Sequence, residues 1–483
     1  MFKLTALQNG KQYEIAFDRP SGLEQLLGQV GLTVPHPCGG RANCGKCMVE
    51  LGGNVSPPNE AEKKLGKRLS CQAIILGDAW VKLPDTDAMR VEMDVAGFEE
   101  ARNPMPGRLG AAIDLGTTTI AVRGFDLRFG RSIGIAAGSN PQISTAGDVM
   151  GRIDAALNGK LVDLQDQVAR EVEELIREAL KGKSPDALVI SGNTTMLYLL
   201  CGLSPKSLAY APFNADDLFD KSVNLFGTEA YLPPCMNAFV GADITCAVLF
   251  SGMCQQAETS LLCDFGTNGE IALWKDGILF VTSTAAGPAF EGAGISCGCG
   301  SVSGAIEKVS IEEGEICVGT IGGEAPVGLC GSGLIDAVAA GIKLGVIDET
   351  GAIDGPFQLE KNISLSQGDI RAVQLAKAAI AAGIEAVMKA AWVSGIEEVD
   401  TLYIAGGFGS HLNIESAKEI GLLPKNMSGK VHVLGNAALA GASQVLLDLE
   451  CKEQLRSISR VSKHVSLGGN PQFNESYIDN MLF

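Results

Sequence analysis

Four cysteines near the N-terminus are spaced for a metal cluster. Cys38, Cys44 and Cys47 lie in "PCGGRANCGKC" (37–47), and Cys71 lies in "RLSCQAI". The first three follow C-x5-C-x2-C, and twenty-three residues separate Cys47 from Cys71. A tight trio with a distant fourth thiolate is a binuclear iron–sulfur pattern. The glycines of the loop let backbone N–H groups come close to the cluster sulfides. Structural zinc sites usually show two C-x2–4-C pairs, and here there is one. The expectation is therefore a [2Fe–2S] cluster, with zinc as the rival.

A second chemistry is written twice. "AAIDLGTTTIAV" (111–122) runs an apolar strand into Asp114, then turns through Gly116, Thr117, Thr118 and Thr119. "LLCDFGTNGEIAL" (261–273) does the same with Asp264, Gly266, Thr267, Asn268, Gly269 and Glu270. Such a turn aims N–H and hydroxyl groups at a phosphate, while the carboxylate holds Mg²⁺, usually through water. A repeat at 264 − 114 = 150 residues implies two similar halves that each give one loop to a shared cleft. "TLYIAGGFGS" (401–410) adds Gly406, Gly407 and Phe408 after a strand, where paired glycines admit the flat ring of adenosine.

Weaker signals surround these loops. "GLCGSGL" reads as a turn opening a helix, so Gly331, Ser332 and Gly333 could approach the nucleotide. Asn193 in "SGNTTM" either caps a helix or faces the cleft, and Asp243 in "VGADITC" is either an N-cap or the group that orients an attacking water. Cys297, Cys299 and Cys330 read most simply as packed thiols, with a second metal or redox site as the alternative. His36, His411, His432 and His464 show no metal spacing.

The elements that must position these residues follow from periodicity. "FKLTAL" and "QYEIAF" predict a hairpin, "GLEQLLGQVG" a short amphipathic helix, and "CMVEL" and "AWVKLP" two later strands. Residues 86–108 are charged, hold two prolines and show no sustained period, so they read as a linker. "AKAAIAAGIEAVMKAAW" (376–392) predicts a packed helix, since Lys377, Glu385 and Lys389 interrupt it too often for a membrane span. A net charge of −18 would repel phosphate backbones and argues against nucleic acid as a partner. The N-terminus alternates like a strand and lacks a signal-peptide core, so the fourteen cysteines are expected to be thiols or metal ligands in a soluble cytoplasmic protein with no membrane contact.

Strand–strand–helix followed by a cysteine loop resembles the β-grasp ferredoxin fold over residues 1–85, and the C-x5-C-x2-C variant looks like the vertebrate and bacterial redox ferredoxins. That resemblance implies Cys38, Cys44, Cys47 and Cys71 as the four ligands of a one-electron centre. The two D-x-G-T loops and the Gly-Gly loop resemble the phosphate-one, phosphate-two and adenosine motifs of the actin, hexokinase and heat-shock-chaperone ATPases. The expected fold class is α/β: a β-grasp ferredoxin domain, then duplicated actin-like (ribonuclease H-like) ATPase domains over 109–483, in pseudo-repeats of about 109–255 and 256–483.

The whole chain resembles the reductive activators of corrinoid proteins, on "CGGRANCGKCMVEL", "AIDLGTTTIAV", "SGNTTMLYLL", "VGADITCAVL", "DFGTNGEIAL", "GPAFEGAGISCGCGS", "YIAGGFGSHLN" and the tail "GNPQFNESYIDNMLF". The resemblance implies an ATPase that passes one electron from its cluster to a corrinoid protein, returning Co(II) to Co(I). ATP and Mg²⁺ would bind in the cleft, Asp114, Asp264 and Asp243 would carry catalysis, and a low-potential reductant would act upstream, with a homodimer left open. Activation of another low-potential metalloenzyme and a small-molecule kinase with a regulatory cluster are the alternatives. Because only the linker separates ferredoxin from ATPase, the chain reads as a short form without the family's middle domain. Plant-type binuclear clusters sit near about −400 mV, and cobalt in corrinoids is expected lower. An uphill gap of about 100–200 mV for one electron is on the order of 2–5 kcal/mol, which ATP can cover.

Overall fold

Leu4, Ala6, Ile15 and Phe17 alternate with exposed neighbours along the strands Phe2–Gln8 and Lys11–Phe17, which pair antiparallel with Leu4 opposite Ile15. The first strand also runs parallel to Ile74–Lys82, which pairs antiparallel with Met48–Val55. Leu23, Leu26 and Leu27 of the short helix Leu23–Gly28 close the core over this sheet. This is the ferredoxin architecture expected of the first segment. The computed structural model describes residues 1–8, 10–30, 32, 34, 42, 47–83, 102–407 and 411–483. Cys38, Cys44, Phe408 and residues 86–101 of the expected linker lie outside them.

A buried carboxylate organises the approach to Cys71. Asn59 and Glu62 form a reciprocal capping box at the start of the helix Glu60–Leu65. The Glu62 side chain is 1% exposed and accepts hydrogen bonds from Arg68 Nε and the backbone N–H of Leu69, both at 2.9 Å. Desolvation opposes its charge, but the N–H groups of Leu69 and Asn59 together with Arg68 prevail and hold its pKa below the ordinary value. One carboxylate therefore fixes the two residues that lead into the Ser70–Cys71 turn.

Beyond the linker, two six-stranded sheets follow the same plan. In the first, Leu109–Leu115 pairs antiparallel with Thr119–Asp126, which pairs with Arg131–Ser139, while Ala187–Gly192 runs parallel on the other side. In the second, Ser260–Phe265, Gly269–Lys275 and Ile278–Thr284 form the meander, and Thr401–Ala405 is the parallel neighbour. Asp114 and Asp264 occupy equivalent positions, each one residue before the end of its central strand. The actin-like duplication is thus visible in topology and register.

One apolar core joins the halves. Ala112, Phe125 and Val189 of the first sheet share it with Leu262, Ala272 and Val281 of the second. The helices Ala242–Ser251 and Ala437–Leu447 fill the space between, and Gly441 lets them meet backbone to backbone: a Cβ there would lie 2.0 Å from the Cys246 carbonyl oxygen. The helix Gln367–Ala390 packs on the second sheet and buries Ile370, Ile380 and Ile384. It ends before Trp392, which is 88% exposed. The last residues of the expected linker are part of this body: Met105 is 3% exposed and its N–H bonds Leu446 O at 2.9 Å.

Glu62→Gln should destabilise the ferredoxin domain by about 1–3 kcal/mol, because the amide NH₂ replaces one acceptor with a donor facing other donors. The loss is read as earlier bleaching of the cluster chromophore in urea. A lowered carboxylate pKa stabilises the fold above the unfolded value, near about 4.3, and that contribution disappears as pH falls through the folded value. The gap between wild type and variant should thus be full at neutral pH and close in acid.

Candidate functional site

The strand-to-turn junctions after Asp114 and Asp264 face one cleft of about 800 Å³. Gly116, Thr117, Thr118 and Thr119 line it from the first half, Gly266, Thr267, Asn268 and Glu270 from the second. Gly331, Ser332, Gly406 and Gly407 complete the wall, with Asn193 and Asp243 at its base. Gly269 and Gly333 are exceptions among the expected loop residues: a Cβ on Gly269 would meet Ile380 and Thr284, and one on Gly333 would lie 2.1 Å from Ile306 O, so neither lines the cleft. Gly406, at φ +101°, crosses directly over the second phosphate loop; a side chain there would lie 2.4 Å from Phe265 O and 2.9 Å from an Asp264 carboxylate oxygen.

Four helices begin at this cleft. Asn193 caps Thr194–Leu200 through Thr195 N–H, Gly241 precedes Ala242–Ser251, Cys330 precedes Gly331–Lys343, and Asn436 caps Ala437–Leu447. Their N-terminal N–H groups bring partial positive charge to a site whose described lining residues include no Lys or Arg. The cap reading of Asp243 is corrected here: Gly241 is the cap, and Asp243 sits inside the first turn with its carboxylate on the N–H of Ile244 at 2.8 Å.

The cleft is loaded with carboxylates. Enclosure raises Asp114 to about 6 despite a hydrogen bond from Asn436, and raises Asp243 to about 7 with help from Asp114. Enclosure, then Asp243, Asp114 and Glu291, lift Asp264 to about 8. Glu270, opposite Asp264 in the strand pair, is pushed well above its ordinary value by burial and by Asp243 and Asp264. Such a group of like charges stays ionised only with a cation among them. Among the described residues no three metal-ligating side chains converge on one point. A divalent ion here would complete its shell with phosphate and water oxygens, the usual habit of Mg²⁺.

The cysteine site is described in part. Cys47 Sγ and Cys71 Sγ lie 3.2 Å apart, Cys47 buried and Cys71 half-buried, so the two thiols can converge on one iron. The positions of Cys38 and Cys44 fall outside the described residues. Of the other thiols, Cys330 is 2% exposed and bonds Ile306 O at 3.3 Å, and Cys299 lines the cleft wall.

Three family models match consecutive parts of the chain: a 2Fe-2S iron-sulfur cluster binding domain over 6–76, the RACo middle region over 109–256, and the C-terminal ASKHA domain of RACo over 258–483. The corrinoid activation enzyme RamQ of Eubacterium limosum is 35% identical across 77% of this chain and 70% of its own. The chain belongs to the family of reductive activators of corrinoid proteins. The [Co(II) methylated amine-specific corrinoid protein] reductase of Methanosarcina barkeri is 28% identical over 77% of each chain. A solved reductive activator for corrinoid, iron-sulfur protein superposes with a TM-score of 0.74 at 27% identity, covering 99% of this chain and 98% of that one.

Within this family of activators the middle region is present, against the expectation of a short form. The family's middle-region model falls on 109–256, the segment whose strands and D-x-G-T loop read as the first half of the ATPase. The segment was identified by its fold, and that fold is what the family's middle region has.

Four residues that support the activator's cleft went unnoticed in the sequence. Asn436 donates to Asp114 Oδ2 at 2.9 Å while its Oδ1 caps the helix, tying the second half to the first carboxylate. Asn140 donates to Gly116 O at 2.9 Å. Arg152, fully buried, donates to Thr117 O at 2.6 Å, to Ala146 O and to Gln142 Oε1 at 3.0 Å, and burial lowers its pKa to about 10. Glu291 joins the two phosphate loops. Asn436 and Asn140 left local signals, an Asn ahead of an apolar helix and an Asn directly before Pro141 at a helical start.

Arg152→Met should leave the Thr117 carbonyl unpaired and loosen the first phosphate loop, costing about tenfold or more in ATP affinity. The cluster absorbance should not change, and Arg152→Lys, which keeps the charge but not the fork, should fall between. Equilibrium titration with ATP checks both.

Proposed function

We propose that this chain is an ATP-dependent reductive activator that delivers one electron to a corrinoid protein and returns Co(II) to Co(I). The observation that carries this reading is the convergence of both D-x-G-T loops and the Gly-Gly loop on one carboxylate-lined cleft, in a chain whose ferredoxin domain brings Cys47 and Cys71 thiols together. The [2Fe–2S] cluster, held by Cys38, Cys44, Cys47 and Cys71, supplies one electron at a time.

The chain's own residues handle the nucleotide. Thr117, Thr118, Thr267 and Asn268 offer N–H and hydroxyl donors to the phosphates, and Asp114 and Asp264 would hold Mg²⁺, which would neutralise phosphate charge there. Asp243, which lines the same cleft, would orient the attacking water. Gly406, Gly407 and Phe408 receive adenosine, and the first turn at Gly331 and Ser332 faces the phosphates. A low-potential reductant upstream refills the cluster, and the protein works in the cytoplasm without nucleic acid or membrane. No described helix is long and apolar enough to cross a membrane.

Asp114→Ala and Asp264→Ala should each reduce ATP hydrolysis by about 10² or more, since each removes an anchor for the metal. In the same preparations Co(II) reduction, followed by the corrinoid absorbance bands with a chemical reductant present, should fall in parallel. Normal hydrolysis in both variants would contradict the two-loop site. Full Co(I) formation without ATP would contradict the coupling.

A further inference from the structure

Glu291 lies in none of the loops that define the cleft, yet it is bonded to both. Thr118 Oγ1 donates to Glu291 Oε2 at 2.9 Å, and Thr267 Oγ1 reaches Oε1 at 3.1 Å and Oε2 at 3.2 Å. The two hydroxyl oxygens are 3.0 Å from each other, although they are 149 positions apart in the chain. Glu291 is presented on the short 3-10 turn Pro288–Glu291, which Gly292 closes, so its carboxylate enters the cleft from a third direction.

The donors Glu291 engages, the hydroxyls of two phosphate-loop threonines, are of the kind that such a loop keeps for phosphate. Each hydroxyl has one proton. While both point at Glu291, neither can be given to a phosphate oxygen. Burial raises the Glu291 pKa while the hydrogen bonds from Thr118 and Thr267 favour its carboxylate form, and phosphate entering beside that carboxylate would add charge to a cleft that already encloses Asp114, Asp243, Asp264 and Glu270.

We propose that Glu291 is a resident phosphate surrogate: it latches the two phosphate loops together in the nucleotide-free cleft and is displaced from Thr118 and Thr267 by the phosphates of ATP. This rests on the reading of the cleft as an ATP site and adds how that site is held before ATP arrives. ATP entry exchanges one anion for another on the same donors. The loops stay close together in both states, and the affinity for ATP is set below what the loops alone would give. Adenosine, which never meets these donors, is indifferent to the exchange.

The test is equilibrium binding to the full-length, cluster-loaded protein in the presence of Mg²⁺, with ATP and adenosine as probes, for wild type, Glu291→Gln and Glu291→Ala. Both variants remove the competing charge, and Gln keeps the shape. The latch predicts that ATP binds about tenfold more tightly to each variant, the effect expected for losing hydrogen bonds to a charged competitor, while adenosine binding is unchanged. ATP binding that is unchanged or weaker in Glu291→Gln overturns the latch. Equal changes for ATP and adenosine also overturn it, because they reveal a merely structural residue. Wild type that binds neither probe would instead contradict the ATP site itself, so the two failures are distinct.

Discussion

Like charges confined in one cleft set the terms for the whole ATPase body. Asp114, Asp243, Asp264 and Glu270 face each other where water is scarce, and each holds its proton more tightly than a free carboxylic acid. Such a cluster is unfavourable by itself and becomes favourable around a divalent cation carrying phosphate. The architecture follows from that demand. Two central strands end side by side to deliver Asp114 and Asp264, and four helix N-termini supply the partial positive charge that phosphates need.

The loops themselves were legible in the sequence because their chemistry is local. Asp114, Gly116 and Thr118 lie within five residues, so a turn and its donors appear as one word, and the second copy at Asp264 makes the word a pattern. Likewise the alternation around Leu4 and Ile15 and the C-x5-C-x2-C loop foretold the ferredoxin fold from neighbouring residues alone. What supports the loops was not legible. Arg152 reaches Thr117 across 35 positions, Glu291 reaches Thr118 across 173, and Asn436 reaches Asp114 across 322. These partners come together only through the sheet topology, which no single-chain periodicity encodes. The same limit explains the end of the linker: Met105 looks like a residue of an irregular charged stretch until Leu446, from the far end of the chain, gives its N–H an acceptor. Asp243 lost its cap role because the helix starts two residues earlier than a cap at Asp243 would require, which makes it a first-turn carboxylate.

The two chemistries meet at the level of free energy. A binuclear ferredoxin centre is a good one-electron carrier but a weak driver for a couple of lower potential. A cleft that binds and hydrolyses ATP can supply the difference only if nucleotide state and electron transfer are linked in one complex, since a ligand shifts an equilibrium only by its differential affinity for the states involved. The residues that join the two halves of the cleft are the physical means of that link within the ATPase body: Asn436 holds Asp114 from the opposite half, and Glu291 ties Thr118 to Thr267.

One electron leaves the cluster of this chain for cobalt when, and only when, the cleft turns over ATP. The most direct measurement is a single turnover followed by electron paramagnetic resonance. The protein is reduced, freed of excess reductant, and mixed with a Co(II) corrinoid protein, with and without Mg-ATP. The reduced-cluster signal and the Co(II) signal should disappear together, one spin of each per chain, in the sample with ATP, and both should persist without it. Loss of both signals at the same rate in the two samples, or hydrolysis of ATP while the cluster signal stays intact, would contradict that coupling.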